Sequence, residues 1–63
     1  MEREYDLFER FPDGTVIWRA VVVGMDSAVR KFAELAGLSP NEVFVMHTPT
    51  QTVIASLNVP EQS

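Results

Sequence analysis

The chain has 63 residues, no cysteine, 46% hydrophobic residues and a formal net charge of −4. This length allows one small domain, and the absence of cysteine excludes disulfides and thiolate metal sites. The five basic residues are scattered among nine acidic ones. This distribution argues against nucleic-acid binding, which needs clustered positive charge.

Two strands joined by a tight turn are predicted at the start of the chain. Residues 5–11 mix aromatic and apolar side chains with charges, and residues 15–23 are rich in β-branched side chains. Between them stand Pro12, Asp13 and Gly14, which are typical turn residues. They fit either a two-residue Asp-Gly turn or a three-residue Pro-Asp-Gly loop, and the two differ in strand register by one residue.

A helix is predicted next, with Asp26 or Ser27 capping its first turn. An apolar stripe follows the helical repeat at Val29, Phe32, Ala33 and Ala36. Gly37 is placed to end the helix, and Pro40 prevents its continuation.

Two more strands are predicted at residues 42–48 and 51–59, separated by a turn at residues 48–51. Pairing the two ends of this turn sorts the apolar side chains of both strands onto one face. The pairs predicted by this register are Met46 with Val53, Phe44 with Ala55 and Glu42 with Leu57.

The order strand, strand, helix, strand, strand predicts a small α+β domain over residues 1–59. In it, one helix packs on one face of a four-stranded antiparallel sheet. Residues 60–63 are expected to form a C-terminal tail. The predicted core consists of Val29, Phe32 and Ala36 from the helix, Phe44, Met46, Val53 and Leu57 from the last two strands, and Val16, Trp18, Ala20 and Val22 from the second strand.

The other face of this sheet is predicted to be too apolar for a solvated surface. Either its branched side chains are isolated exposed residues, which folded proteins tolerate, or a second chain covers them. Burial of apolar surface contributes about 90 kcal/mol for a chain of this length, and ordering the residues costs about as much, so association is favoured. We therefore expect a homodimer. The candidate interface residues are Ile17, Arg19, Val21, Val43, Val45 and Ile54, and Arg19 is also expected to pair with Asp6 or Glu9.

Two residues are candidates for contact with a ligand. Trp18 offers an aromatic platform, although a core position is the competing interpretation. His47 is the single histidine and has no acid or further metal ligand at a suitable spacing. We therefore expect no catalytic residue, no metal site and no cofactor.

The sequence favours a cytoplasmic protein-interaction module that self-associates and has no catalytic activity. The first residues lack the features of a signal peptide, and the longest apolar run is too short to cross a membrane. The alternative function is a small-molecule or nucleotide-binding module. Its pocket would form between two subunits, near Trp18 and His47.

Overall fold

The computed structural model describes residues 3–59, and the predicted tail, residues 60–63, lies outside them. Within the described range, four strands and one helix follow in the predicted order: β1 (Glu4–Arg10), β2 (Val16–Val23), α1 (Met25–Leu38), β3 (Glu42–His47) and β4 (Thr52–Leu57). Neighbouring strands are antiparallel, and their order across the sheet is β2-β1-β3-β4. The predicted α+β fold class is confirmed. The centre of the sheet is formed by β1 and β3, and its edges by β2 and β4.

A three-residue loop of Pro12, Asp13 and Gly14 joins β1 to β2. The Phe11 N–H donates to the Thr15 carbonyl oxygen at 2.8 Å, and the Gly14 N–H donates to the Phe11 carbonyl oxygen at 2.9 Å. Gly14 has a φ of +93°, a conformation that glycine adopts without steric strain. Of the two hairpin loops that the sequence allows, the longer one is formed.

The helix begins directly after a glycine and not at a polar cap. Gly24 has a φ of +92° and donates its N–H to the Arg3 carbonyl oxygen at 2.8 Å, which turns the chain out of β2. The Gly24 carbonyl oxygen then accepts from the Ala28 N–H at 3.1 Å, so helical hydrogen bonding starts at once. The first turn has no side-chain cap, and the predicted capping by Asp26 or Ser27 is wrong.

The helix runs through Gly37, which was predicted to end it, and stops at Leu38. Ser39 follows with extended backbone geometry, and its hydroxyl donates to Glu9 Oε2 on β1 at 2.7 Å. This hydrogen bond connects Ser39 to β1, and the helix ends before it. Pro40 then excludes a further helical hydrogen bond.

The core lies between α1 and one face of the sheet, called here the helix face. Its members are Tyr5, Leu7, Ala28 and Val45, surrounded by the half-buried Val22, Phe32 and Leu35. Leu7 is completely buried at the centre of β1. The strand β1 therefore decides which residues of its two neighbours face the helix.

The predicted faces of β3 are the reverse of those observed. Val43 and Val45 were assigned to the uncovered face, yet both lie on the helix face and are 1% and 3% exposed. Val45 pairs with Leu7, so both lie on the helix face. Phe44 and Met46 were assigned to the core and instead lie on the opposite side of the sheet, called here the open face.

Arg19 is an extra residue in β2 that the sequence pattern does not reveal. Ala20 pairs with Leu7 and Trp18 pairs with Phe8, so Arg19 is left over and forms a β-bulge. The bulge places Ala20 on the helix face and Trp18 on the open face. The prediction that Trp18 lies in the core is therefore wrong, since this residue is 58% exposed.

Ile54 is the corresponding extra residue of β4. Met46 pairs with Val53 as predicted, but Val45 pairs with Ala55, which leaves Ile54 without an opposite residue. Beyond this bulge the predicted register is wrong by one residue. The observed pairs are Phe44 with Ser56 and Val43 with Leu57, in place of Phe44 with Ala55 and Glu42 with Leu57.

The helix is offset towards one side of the sheet. It packs on β3, β1 and β2, whereas all six residues of β4 are exposed. Val29 and Leu57, both predicted in the core, are accordingly exposed. The offset leaves a groove between α1 and β4, lined on its two sides by Val29 and Ile54.

Candidate functional site

The open face is built around two stacked phenylalanines. Phe8 of β1 pairs with Phe44 of β3, and their ring centroids lie 5.2 Å apart with 17° between the ring planes. The Arg10 guanidinium lies 5.3 Å from the centroid of the Phe44 ring, and Arg10 Nε lies 3.4 Å from Glu42 Oε1. These contacts bury Phe44 although no second layer covers it. The centre of the open face is therefore ordered within a single chain.

Trp18 stands beside this stack on the edge strand β2. Its Nε1–H donates to Asp6 Oδ1 at 3.2 Å, and Asp6 Oδ2 accepts from the Thr48 hydroxyl at 2.8 Å. The polar edge of the indole is thus fixed by a carboxylate that is itself held by the turn after β3. Most of the indole remains exposed, which presents a large and oriented apolar surface.

Large exposed apolar side chains flank the aromatic centre on both edges of the sheet. The open-face patch consists of Val16, Trp18, Val21, Val23 and Val53. Single exposed valines are ordinary on protein surfaces. A group of them around a tryptophan and a phenylalanine stack is typical of a surface that binds another molecule.

Of the six predicted interface residues, Val21 alone is exposed on the open face. The other five lie on the helix side of the sheet: Ile17, Arg19, Val43, Val45 and Ile54. Val16 and Trp18 were assigned to the core because the bulge at Arg19 interrupts the alternation of β2. Val53 was assigned to the core together with its partner Met46, because the faces of β3 were reversed. In β1, by contrast, the alternating apolar residues Tyr5 and Leu7 indicate correctly which face of the sheet is covered by the helix. This strand is one of the two at the centre of the sheet.

Glu9 is a nearly buried carboxylate on the helix side, 4% exposed. It accepts hydrogen bonds at 2.7 Å from Asn41 Nδ2, from the Ser39 hydroxyl and from Arg19 Nε. The bonds from Asn41 and Ser39, followed by that from Arg19, lower the pKa of Glu9 to about 2. The carboxylate is ionised at neutral pH and fixes the chain after α1 to β1. Of the two predicted partners of Arg19, Glu9 is the one that forms the ion pair.

His47 lies at the end of β3, on the helix face. Its Nδ1 is 2.9 Å from the Thr50 hydroxyl oxygen, and its ring is 5.6 Å from the Tyr5 ring at 52°. His47 pairs with Tyr5, whereas Trp18 pairs with Phe8 on the other side of the sheet. The two candidate ligand contacts therefore do not share a pocket within one chain.

Residues 3–59 contain no group of three or more histidine, aspartate or glutamate side chains placed to hold a metal ion. In the same range, α1 is not long and apolar enough to cross a membrane. Comparisons of the chain with protein-family models, with curated proteins and with solved structures found no match.

Proposed function

We propose that the chain is a protein-interaction module that self-associates through its open face. The observation that carries the proposal is the exposure of Trp18 together with four valines on a side of the sheet that α1 does not cover. An antiparallel sheet tolerates one solvated face when that face is mostly polar, whereas this one combines the charged Asp6, Arg10 and Glu42 with a group of exposed apolar side chains. We assign the module to the cytoplasm, a location that the absence of cysteine favours.

The exposed apolar surface is large enough to drive a reversible association. Each half-exposed valine of the patch contributes about 1 kcal/mol when covered, and Trp18 contributes about 3 kcal/mol. A symmetric dimer covers both patches and gains about 14 kcal/mol. Losing translational and rotational freedom costs roughly 4–15 kcal/mol. The dissociation constant of the dimer is therefore expected to be about 50 nM or weaker, and the dimer should dissociate on dilution.

A second copy of the chain fits this face because the face is self-complementary. Along β1 the open-face side chains follow the order Asp6, Phe8, Arg10, which is acidic, aromatic and basic. A two-fold axis across the strands stacks Phe8 on its symmetry mate. The same axis places Asp6 opposite the partner's Arg10. The two charges are then paired across the interface, and the aromatic stack is covered.

Dilution tests the proposal on the unmodified chain. Trp18 is the only tryptophan and belongs to the patch, so its fluorescence reports burial of this surface. Sedimentation velocity across a concentration series should show dimers that give way to monomers on dilution. The emission maximum should shift to longer wavelength over the same concentration range.

Two results contradict the proposal. A monomer mass that persists up to millimolar concentration would exclude self-association. A dimer whose tryptophan emission stays constant through dissociation would show that the chains associate through another surface.

A further inference from the structure

The groove between α1 and β4 is a second surface, independent of the open face. One cavity of about 490 Å³ and a smaller apolar crevice of about 50 Å³ adjoin along it. Both are lined by Met25, Ile54 and Ala55, so they form one continuous depression.

The inner part of the groove is apolar. Met25 and Val29 of α1 form one wall, Ile54 of β4 forms the other, and Ala28 and Phe32 lie at the bottom of the crevice. Met25, Val29 and Ile54 are each about half exposed because the offset of the helix leaves them without an opposite neighbour. An alkyl chain lying in the groove would contact these side chains on both sides.

The outer end of the groove is polar and carries a cation. Arg3, His47, Thr50 and Thr52 line the larger cavity there. The Arg3 backbone accepts the hydrogen bond from the Gly24 N–H at 2.8 Å, which fixes the start of β1 at this end of the groove. The chain as a whole has a net charge of −4, so a guanidinium beside two hydroxyls and an imidazole is a local exception that favours an anion.

We propose that this groove binds a free amphipathic carboxylate. The alkyl chain lies along Met25, Val29 and Ile54, and the carboxylate accepts hydrogen bonds from the Arg3 guanidinium. The charge of Arg3 gives the groove its preference for an anionic head group. The apolar side chains of its walls give it the preference for an alkyl tail. The proposal does not depend on self-association, because none of these residues belongs to the open-face patch.

Titration of the ¹⁵N-labelled chain with decanoate below its micellar concentration tests the site. Decanoate should shift the amide signals of Met25, Ile54 and Thr52, whereas decanol and inorganic phosphate, which each lack half of the ligand, should bind at least several-fold more weakly. Arg3→Gln should raise the dissociation constant about threefold, the usual effect of an exposed charge pair. Ile54→Ser should raise it about fivefold, since half of an apolar contact is lost.

Val53→Ser is the matched control for Ile54→Ser. The two side chains are adjacent and similarly exposed, 51% and 46%, but Val53 lies on the open face. Val53→Ser should leave decanoate binding unchanged and weaken the dimer. Ile54→Ser should weaken decanoate binding and leave the dimer unchanged. Val29→Thr, on the other wall of the groove, provides a second test if Ile54→Ser fails to fold.

Several outcomes would overturn the proposal. Equal affinity for decanol and decanoate would exclude recognition of the head group. Signal changes confined to the open face would place the ligand on the other side of the sheet. Binding to anionic phospholipid vesicles without saturation by free decanoate would assign the groove to a membrane surface.

Discussion

Replacing Trp18 by threonine should abolish self-association and leave the monomer folded. Threonine is β-branched and, like tryptophan, suits the edge strand β2. In the monomer Trp18 is 58% exposed, and its one hydrogen bond goes to Asp6 on the surface. Because the remaining part of the side chain is buried in the monomer, the free energy of unfolding should fall by about 1–2 kcal/mol, which leaves the monomer folded.

The effect of Trp18→Thr on the dimer follows from the area that the indole exposes. Roughly 120–140 Å² of the residue is available for burial, which is worth about 3–3.5 kcal/mol at 25 cal/mol per Å². A symmetric dimer loses this contribution twice. Even the lower value of about 2 kcal/mol, typical of a tryptophan at the centre of an interface, weakens dimerisation about a thousandfold.

Sedimentation velocity of Trp18→Thr beside Leu38→Ser measures this difference. Leu38 is 76% exposed at the end of α1, far from the open face in the fold, so its loss should leave the dimer intact. Dimers of Trp18→Thr at the concentration where the parent chain dimerises would refute the reasoning. Monomers of Leu38→Ser at that concentration would refute it as well.

Three further predictions concern the folded chain itself. Leu7→Ala should lower the free energy of unfolding in urea by about 2–5 kcal/mol, because Leu7 is completely buried; a loss below about 1 kcal/mol would contradict its central position. The folded pKa of Glu9, about 2, lies below its ordinary value of 4.5, so its contribution to stability is present above pH 4.5 and is lost as the pH falls towards 2. Urea unfolding over this range should show a flatter pH dependence for Glu9→Gln than for the parent chain, and equal slopes would argue against the assignment. Gly14→Ala should destabilise by about 1–2 kcal/mol in thermal unfolding, because φ is +93° there. Gly37→Ala, inside the helix with free space around it, should stabilise by about 0.5–1 kcal/mol, and the same sign at both positions would contradict the backbone argument.

The order of elements could be predicted from the sequence because it depends on local signals. Pro12, Asp13 and Gly14 specify a turn through their own backbone preferences, and β-branched runs indicate strands on either side of it. The pairing of Met46 with Val53 was also predictable, since it lies next to the turn that sets it.

The faces of the sheet could not be predicted in the same way. The bulge residues Arg19 and Ile54 change which side chains of their strands point towards the helix. The residue types at these two positions do not indicate a bulge. The position of β1 between β2 and β3 depends on contacts between distant parts of the chain. As a result the valines of β3 were placed on the wrong side.

Of the polar cluster around Glu9, only the pair with Arg19 was among the sequence predictions. Asn41 and Ser39 are about thirty residues away along the chain, and neither has a sequence context that indicates a carboxylate partner. The Asn58 side chain adds a further long-range contact, donating to the carbonyl oxygens of Ala36 and Ser39 at 3.0 Å. These bonds are a property of the assembled fold.

The two bulges also differ in what they imply for changes of chain length. Deleting Ile54 would join Val53 directly to Ala55 and restore regular alternation, with each remaining side chain on its present face. Deleting Arg19 would restore alternation in β2 in the same manner, but it would leave the Glu9 carboxylate without its counter-ion. Relatives of this chain that are one residue shorter should therefore have their gap at position 54 and keep a basic residue at position 19.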